Sequence, residues 1–304
     1  MSKDTKIREG YVKVTGGKIW YKVVGTGDNI PLITLHGGPG STHHGLTSLE
    51  ALADSRPVIF YDQLGCGNSD KPDDISLWKT ERFVEELAQL RTALGLESVH
   101  ILGHSWGTML ATDYLLTQPQ GVASVVMSSP CISIPMWLED CNLYIKQLPH
   151  AIQSIIMVHQ KEGTTNSSEY HRAAAEFDKK HVNRLNPAPQ AIIKGKEGRS
   201  KTIYETMWGP TEFFMTGNLK EYDQSQRLKE IKIPILFSCG RFDEATPKTT
   251  AYYHSLVSDS ELVIYENSAH MPQWEETDLY VDTVRNLSLI HISEPTRLGM
   301  ISYA

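Results

Sequence analysis

The chain has 304 residues, of which 40% are hydrophobic and 21% are charged, and its net charge is −7. This size and composition are typical of one large globular domain, with or without an insertion, and argue against a disordered chain. The acidic balance lacks any basic block and gives no support for nucleic-acid binding. The polar N-terminus predicts no secretory signal, and no apolar run approaches the ~18 residues that a membrane helix needs.

The cysteines and histidines show no metal-ligand spacing. Four cysteines are scattered along the chain at Cys66, Cys131, Cys141 and Cys239. They are typical of reduced thiols in a cytoplasmic protein, and no HExxH or similar ligand set is present. We therefore expect a cytoplasmic protein without membrane or nucleic-acid partners, which needs no metal and no other cofactor. The oligomeric state stays open.

The first part of the chain alternates between predicted strands and helices. A hairpin at a sheet edge is predicted by the alternating residues 11–15 and 19–24 around Gly16. Short apolar runs then predict buried strands at 31–35, 57–61, 99–102 and 123–127. Helical patterns cover 81–94 and 106–116. Such alternation predicts a mostly parallel sheet with right-handed crossovers.

The alternation stops after Pro130. The following stretch contains no convincing buried strand, and it favours helices at 135–148, 151–158 and 168–182 with breaks at 186–189 and 195–198. We expect residues 131–227 to form a helical cap over the carboxyl edge of the sheet, where open α/β sheets bind ligands. The strands resume at 233–239 and 261–265, on either side of a helix at 247–257.

The predicted core therefore consists of two segments, residues 1–130 and 228–287, with a last helix at 277–287. Together the runs predict an α/β fold with an eight-stranded sheet. Residues 288–304 show neither helical nor strand periodicity, and Pro295 interrupts them. We expect this segment to be a non-native tail that replaces the natural C-terminus, and we assign it no function.

The motif Gly103-x-Ser105-x-Gly107 lies between a predicted strand and a predicted helix. That context is the one a nucleophile elbow requires, since the turn crowds its flanking residues and exposes the serine hydroxyl. Asp243 and His270 each follow a later predicted strand. The order Ser, Asp, His is that of the α/β-hydrolase fold, and it predicts Ser105 as nucleophile, His270 as base and Asp243 as the carboxylate that orients the base.

Two glycine-rich turns follow strands close to the predicted nucleophile. His36–Gly40 comes after strand 31–35, and we expect the backbone N–H groups of Gly38 and Trp106 to form the oxyanion hole. His36 is expected to brace this turn by hydrogen bonding, and His104 is not expected to be the base. The second turn, 62–70, fits neither a phosphate-binding nor a calcium-binding spacing and is interpreted as packing beneath the site.

Taken together, these motifs resemble those of the proline iminopeptidase family of serine peptidases, which is related to the tricorn-interacting aminopeptidases. The resemblance covers residues 10–287 and rests on His36–Gly40, 62–69, 103–107, 240–244 and 268–272. It implies that two glutamates clamp the α-ammonium of the substrate. Glu244 follows the predicted Asp243, and Glu212 lies in a Trp-Gly-Pro-x-Glu-Phe motif. Trp208 and Phe213 of that motif are expected to line an apolar pocket.

The resemblance implies an aminopeptidase that releases proline or another apolar residue from short peptides or aminoacyl compounds. A first alternative keeps the same chemistry without the ammonium clamp, as an esterase, amidase or lactonase of small molecules. A second is a non-enzymatic ligand-binding relative, against which the complete set of Ser105, Asp243 and His270 argues. Halide or epoxide chemistry is disfavoured because those enzymes carry an aspartate at the nucleophile position.

Overall fold

The computed structural model describes residues 6–293, with side chains described for residues 6–286. Within this range eight strands form one sheet. They are β1 (Ile7–Val14), β2 (Gly17–Val24), β3 (Leu32–Leu35), β4 (Val58–Tyr61), β5 (Val99–His104), β6 (Val122–Ser128), β7 (Ile235–Gly240) and β8 (Ser260–Tyr265).

The strand order is β1-β2-β4-β3-β5-β6-β7-β8. The hairpin β1–β2 and the pair β2–β4 are antiparallel, whereas all pairs from β4 to β8 are parallel. β5 is central, and its Ile101 pairs with Ile33 on one side and with Val125 on the other. The carboxyl ends of the parallel strands therefore lie along one edge of the sheet. The predicted eight-stranded, mostly parallel sheet is confirmed.

Ten α-helices accompany the sheet in the described range. They are α1 (Thr80–Ala93), α2 (Trp106–Leu116), α3 (Ile134–Ile145), α4 (His150–Glu162), α5 (Ser168–His181), α6 (Gln190–Glu197), α7 (Lys201–Met207), α8 (Pro247–Ser255), α9 (Pro272–Glu275) and α10 (Thr277–Ser293). Three 3-10 helices are also described: His43–Asp54 precedes β4, Ile75–Leu77 precedes α1, and Ser225–Glu230 precedes β7. None of the helices in the described part of the chain combines the length and apolar character needed to cross a bilayer.

The sheet has an apolar core on each face because the central strands are buried on both sides. Ile101 of β5 packs with α1, α2 and α8 in the larger core, while its neighbour Leu102 packs with the 43–54 helix and α10 in the smaller one. Successive residues of a strand point to opposite faces, so a doubly covered strand is apolar throughout. This explains why the central strands appear in the sequence as continuous apolar runs.

The segment between β6 and β7 contains α3 to α7. Two details of its sequence prediction are wrong. The predicted break at 195–198 begins too early, because α6 runs through Gly195 and ends at Glu197, and α7 was not predicted at all. Gly195 is buried, and a Cβ added there would meet Thr42 and His44 only at ordinary contact distances of 3.5 and 3.6 Å. Packing against the 43–54 region therefore outweighs the weak helix propensity of this glycine.

The last helix is also longer than predicted. α10 continues to Ser293, so its expected end at Leu287 is wrong. The six added residues contain no glycine or proline, and the first helix breaker is Pro295, which disfavours helix at the residue before it. Of the predicted non-native tail, residues 294–304 lie outside the described residues.

Candidate active site

Ser105 occupies a strained turn between β5 and α2. Its backbone has φ 56° and ψ −122°, which is outside the regions that non-glycine residues commonly adopt. Such strain persists only where the surrounding structure enforces it. Here the Ser105 N–H donates to Ser128 O at 3.1 Å, and Ser105 O accepts from Thr108 N at 2.8 Å. The turn is therefore held from the neighbouring strand and from the first turn of the helix.

The two glycines around Ser105 are required by close backbone approaches. A Cβ on Gly103 would collide with the carbonyl of Gly107, and a Cβ on Gly107 would collide with the carbonyl of Leu35. The crowding predicted from the motif is thus confirmed, and part of it comes from the end of β3. Only residues without a Cβ let β5, α2 and β3 meet at this point.

Asp243 and His270 meet behind the strand ends. Asp243 follows β7 and His270 follows β8, and His270 Nδ1 lies 2.7 Å from Asp243 Oδ1. The Asp243 carboxylate also accepts from Ala245 N at 2.8 Å and from Gly240 N at 3.3 Å. These backbone donors fix the carboxylate, which in turn fixes the orientation and tautomer of the imidazole.

Ser105 and His270 line the same cavity of about 440 Å³ at the carboxyl edge of the sheet. This volume is within the range of small-molecule sites. The hydrogen bonds of the described residues include none between Ser105 Oγ and the His270 ring. Catalytic hydrogen bonds often tighten only when substrate is present. The remaining wall comes from the Gly37–Gly38 turn, from α5 and α6, and from Glu212.

The pKa of His270 is set by opposing effects. Complete burial lowers it, but the Asp243 carboxylate at hydrogen-bond distance, together with Glu212 and Glu275, raises it by more. The net result is a pKa above the ordinary value for histidine. His104, by contrast, has its pKa lowered to about 3 by burial and by repulsion from His270. Its Nε2 lies 2.7 Å from the carbonyl of His270, so it supports the His270 loop.

The glycine turn after β3 lies directly against Ser105. A Cβ added at Gly37 would lie 3.2 Å from Ser105 Cβ. Among the described residues, the backbone N–H groups of Gly38 and Trp106 donate no hydrogen bond, and Gly38 lines the cavity. His36 braces the turn as expected, because its Nδ1 lies 2.9 Å from Gly37 O and its Nε2 accepts from Gln63 N at 3.1 Å.

The loop 62–70 packs beneath this turn, as expected. Asp62 accepts from His43 N at 2.9 Å and from Asn68 N at 2.9 Å, and the His43 ring lies 2.8 Å from the same carboxylate. The carboxylate is completely buried. It is therefore fully engaged in holding neighbouring backbone segments in place.

Glu244 is a completely buried carboxyl group with no hydrogen-bond partner for either oxygen among the described residues. Its Oε1 lies 3.9 Å from His270 Nε2. Burial first, then repulsion from Glu212, Asp243 and Asp178, raises its pKa well above the usual range. Leaving a buried polar group without a partner is costly. A cationic group bound beside it would remove that cost.

Glu212 approaches the cavity from the segment after α7 and lines its wall. Its Oε1 accepts from the Tyr204 hydroxyl at 2.7 Å, and its backbone carbonyl accepts from Trp137 Nε1 at 2.9 Å. Because repulsion from Glu212 is among the causes of the raised pKa of Glu244, the two acids act on the same small volume. The structure thus brings both predicted glutamates to the site.

The two aromatic residues predicted to line a pocket lie inside the helical segment instead. Trp208 is completely buried and packs edge-on to Trp137, with ring centroids 5.6 Å apart. Phe213 packs against Phe177 at 4.9 Å. Neither side chain lines the cavity described above. Their part in binding substrate stays a prediction, and Trp137, which contacts His270 at 5.7 Å, is the aromatic ring nearer the site.

Several charged residues at the site were not predicted from the sequence. Asp178 of α5 and Lys196 of α6 line the cavity, as does Arg199 before α7. Glu275 of α9 accepts from Ala269 N and, at 2.6 Å, from Arg184 N, so it anchors the loop that carries His270. These residues lie in helical stretches rich in charge, where a charged side chain is usually solvated. Only their position in the fold distinguishes them from surface residues.

Residues 30–277 match the model of the family described as alpha/beta hydrolase fold. Together with the sheet order and the Ser105 elbow, this match identifies an α/β hydrolase. Among curated proteins, the proline iminopeptidase of Heyndrickxia coagulans is 51% identical over 278 residues, which cover 91% of this chain and 96% of that protein. The chain belongs to the proline iminopeptidase family, and the resemblance stated from its motifs is confirmed.

Solved structures agree with this assignment. The proline iminopeptidase of Mycobacterium smegmatis superposes with a TM-score of 0.85 at 33% identity, covering 93% of this chain and 98% of that one. The protein VinJ superposes with a TM-score of 0.89 at 32% identity, with the same coverage of 93% and 98%. The likeness therefore includes the helical segment between β6 and β7 as well as the sheet.

Proposed function

We propose that the protein is a serine aminopeptidase that releases N-terminal proline, or another apolar residue, from short peptides or amino-acid amides. The observation that carries this proposal is Glu244, a buried carboxyl group without a hydrogen-bond partner among the described residues, whose Oε1 lies 3.9 Å from Nε2 of His270. A substrate with a free α-ammonium would supply the missing partner next to the reacting groups. The curated relatives and the Mycobacterium smegmatis structure that carry the name proline iminopeptidase support the same activity.

The reaction follows from the chemistry of the groups at the strand ends. Ser105 Oγ attacks the carbonyl carbon of the first residue while His270 Nε2 accepts its proton. His270 then protonates the leaving amine, and an acyl-enzyme ester remains. Water, deprotonated by the same imidazole, hydrolyses the ester and restores Ser105. Asp243 stabilises the imidazolium, and the unbonded N–H groups of Gly38 and Trp106 stabilise the oxyanion.

The raised pKa of His270 gives the sign of the pH dependence. The imidazole must be neutral to accept the proton of Ser105, so it is active only above its own pKa. Since that pKa lies above the ordinary ~6.5, activity should increase with pH through a midpoint higher than that of an isolated histidine.

The two glutamates supply selectivity rather than chemistry. Glu212 accepts a hydrogen bond from the Tyr204 hydroxyl, and Glu244 is buried without a hydrogen-bond partner among the described residues. A bound ammonium offsets the burial and repulsion that raise the pKa of Glu244, and so favours its ionised form. An acylated N-terminus offers no cation and leaves both acids uncompensated. The site therefore favours cleavage after the first residue.

We further propose that residues 131–227 act as a cap that limits access to small substrates, since α5 and α6 form part of the cavity wall. A cytoplasmic location is supported by the four buried free thiols, which are typical of a reducing compartment. The alternative of a small-molecule esterase or amidase shares the chemistry of Ser105 but has no use for Glu212 and Glu244. The function of these two acids therefore decides between the two proposals.

The test compares proline p-nitroanilide, its N-acetylated form and p-nitrophenyl acetate for the wild type, Glu212→Gln and Glu244→Gln. Each variant should lose about 100-fold in kcat/KM on the free amine, because a charge-assisted contact worth about 3 kcal/mol is removed. Hydrolysis of p-nitrophenyl acetate should change less than about threefold, because this ester carries no ammonium. The measurement is initial-rate absorbance at several substrate concentrations.

Glu230→Gln is the matched control, because Glu230 forms an exposed pair with Arg227 and does not line the cavity. It should leave all three rates unchanged. Equal rates of the wild type on the free and the acetylated anilide would contradict the aminopeptidase proposal and favour the esterase or amidase.

A further inference from the structure

The cavity wall carries cations that the mechanism does not use. Lys196 near the end of α6 and Arg199 just before α7 both line the cavity. Both also line a second cleft outside it, which places them where the cavity opens. Lys179 lines the cavity too, but it pairs with Glu176 at 2.5 Å. Lys196 and Arg199 form no ion pair with any carboxylate of the described residues.

The backbone around Arg199 is firmly placed. Gly198 O accepts from Gly67 N at 3.0 Å, and Ser200 N donates to Gly40 O at 2.8 Å. Arg199 is thus held between two loops that pack against the Ser105 region. The guanidinium lies over the face of the Tyr204 ring, with Cζ 3.7 Å from the ring centroid. A cation anchored in this way keeps its position relative to the reacting groups.

Tyr204 connects this cation to the ammonium clamp. Its hydroxyl holds Glu212 at 2.7 Å, while its ring face carries Arg199. An acid and a base are therefore separated by about the length of one phenol ring. An extended peptide spans roughly 3.3–3.6 Å per residue, so the charged ends of a dipeptide fall on this scale, whereas those of a tripeptide lie farther apart. The charges of the wall match those of a short zwitterion.

We propose that Arg199, assisted by Lys196, forms a subsite for the C-terminal carboxylate of the substrate, and that the preferred substrates are dipeptides with a free C-terminus. This inference rests on the proposed aminopeptidase function and names its substrate class. Arginine suits such a subsite, because its planar guanidinium can bind a carboxylate through two parallel hydrogen bonds.

Asp178 is an acidic group whose negative charge would weaken carboxylate binding at this subsite. It lines the same cavity as Lys196 and Arg199, and desolvation together with repulsion from Glu212 raises the pKa of its carboxyl group. The negative charge of its ionised form weakens the binding of a carboxylate. Removing that charge should strengthen the subsite.

The test measures proline release from prolyl-alanine and from prolyl-alanine amide, which differ only in the terminal carboxylate. The wild type should favour the free acid in kcat/KM. Arg199→Gln and, separately, Lys196→Gln should each reduce this preference about fivefold through a higher KM for the acid, in keeping with a partly exposed ionic contact. Asp178→Asn should increase the preference by lowering that KM.

Lys194→Gln is the matched control, because Lys194 lies on the same helix and does not line the cavity. It should leave the preference unchanged. If Arg199→Gln slows acid and amide equally, Arg199 only supports Tyr204 and the subsite is disproved. Equal rates of the wild type on acid and amide would also disprove it, while leaving the aminopeptidase proposal intact. Absence of proline release from both compounds would overturn the proposed function, and this inference with it.

Discussion

The sheet edge and the helical segment between β6 and β7 meet at one cavity but differ in how their residues are held. Ser105, Asp243 and His270 come from the ends of β5, β7 and β8, and backbone groups fix the strained turn of Ser105 and the Asp243 carboxylate. Glu212, Asp178 and Arg199 come from helices and the short segments between them. We propose that the first set makes and breaks bonds and that the second set selects the charge of the substrate.

This difference has a physical basis. The strand ends are ordered by the ladder of the sheet and by two cores, so they can hold reacting groups within the tight tolerance that proton transfer needs. Recognition of charge falls off gradually with distance and tolerates looser placement. Changes at the sheet edge should therefore abolish the reaction, whereas changes in the helical segment should alter which substrates react.

The largest effect is expected from the sheet edge. Asp243→Asn should lower kcat about 10⁴-fold on every substrate, free amine or ester, because the imidazole loses its orienting carboxylate and adopts the wrong tautomer. It should also move the rising limb of the pH profile to lower pH, because Asp243 raises the pKa of His270. Initial rates from pH 5 to 9 measure both effects.

Asp259→Asn, an exposed aspartate just before β8, serves as the control for this change and should behave as the wild type. A loss confined to amine substrates would contradict the assignment of Asp243 to the chemical step.

An intermediate effect is expected on the free energy of unfolding. Alanine at one glycine in each region compares how tightly the two regions are packed. Gly107→Ala should lower the free energy of unfolding by about 1–3 kcal/mol, because the added methyl collides with the Leu35 carbonyl. Gly195→Ala should change it by less than about 1 kcal/mol, because its methyl meets Thr42 and His44 at 3.5 and 3.6 Å and alanine favours helix.

Urea unfolding followed by circular dichroism measures both glycine variants. Equal destabilisation by the two substitutions would show that the helical segment is packed as tightly as the strand ends, and the proposed contrast would fail.

The smallest effect concerns selectivity alone. Tyr204→Phe removes the hydroxyl that donates to Glu212 at 2.7 Å. KM for proline p-nitroanilide should rise about five- to tenfold, which corresponds to one hydrogen bond of about 1 kcal/mol, while the rate on p-nitrophenyl acetate stays the same.

Tyr252→Phe is the control, because the Tyr252 hydroxyl on α8 accepts an exposed hydrogen bond from Gln226. A kcat loss on both substrates after Tyr204→Phe would place Tyr204 in the chemical step and remove the division between the two regions.

Patterns of neighbouring residues are enough to predict the strands, the Ser105 elbow and the chain order of Ser105, Asp243 and His270. Those features are local, because turn sterics and apolar runs are written in consecutive residues. The sequence also pointed to Glu212 and Glu244, but only through resemblance to a family. The prediction failed for α7 and placed a break too early at Gly195, because packing outweighs local helix propensity in this segment.

The surroundings of these site residues become known only from the three-dimensional fold. In the fold, Glu244 is buried without a hydrogen-bond partner among the described residues. Trp208 and Phe213 pack inside the helical segment, and Arg199 lines the cavity. Burial and long-range charge depend on segments far apart in the chain, and a charged residue on a helix has the same local pattern whether it faces solvent or a site. The proposed selectivity therefore depends on distances between side chains from separate segments, which a local sequence pattern cannot predict.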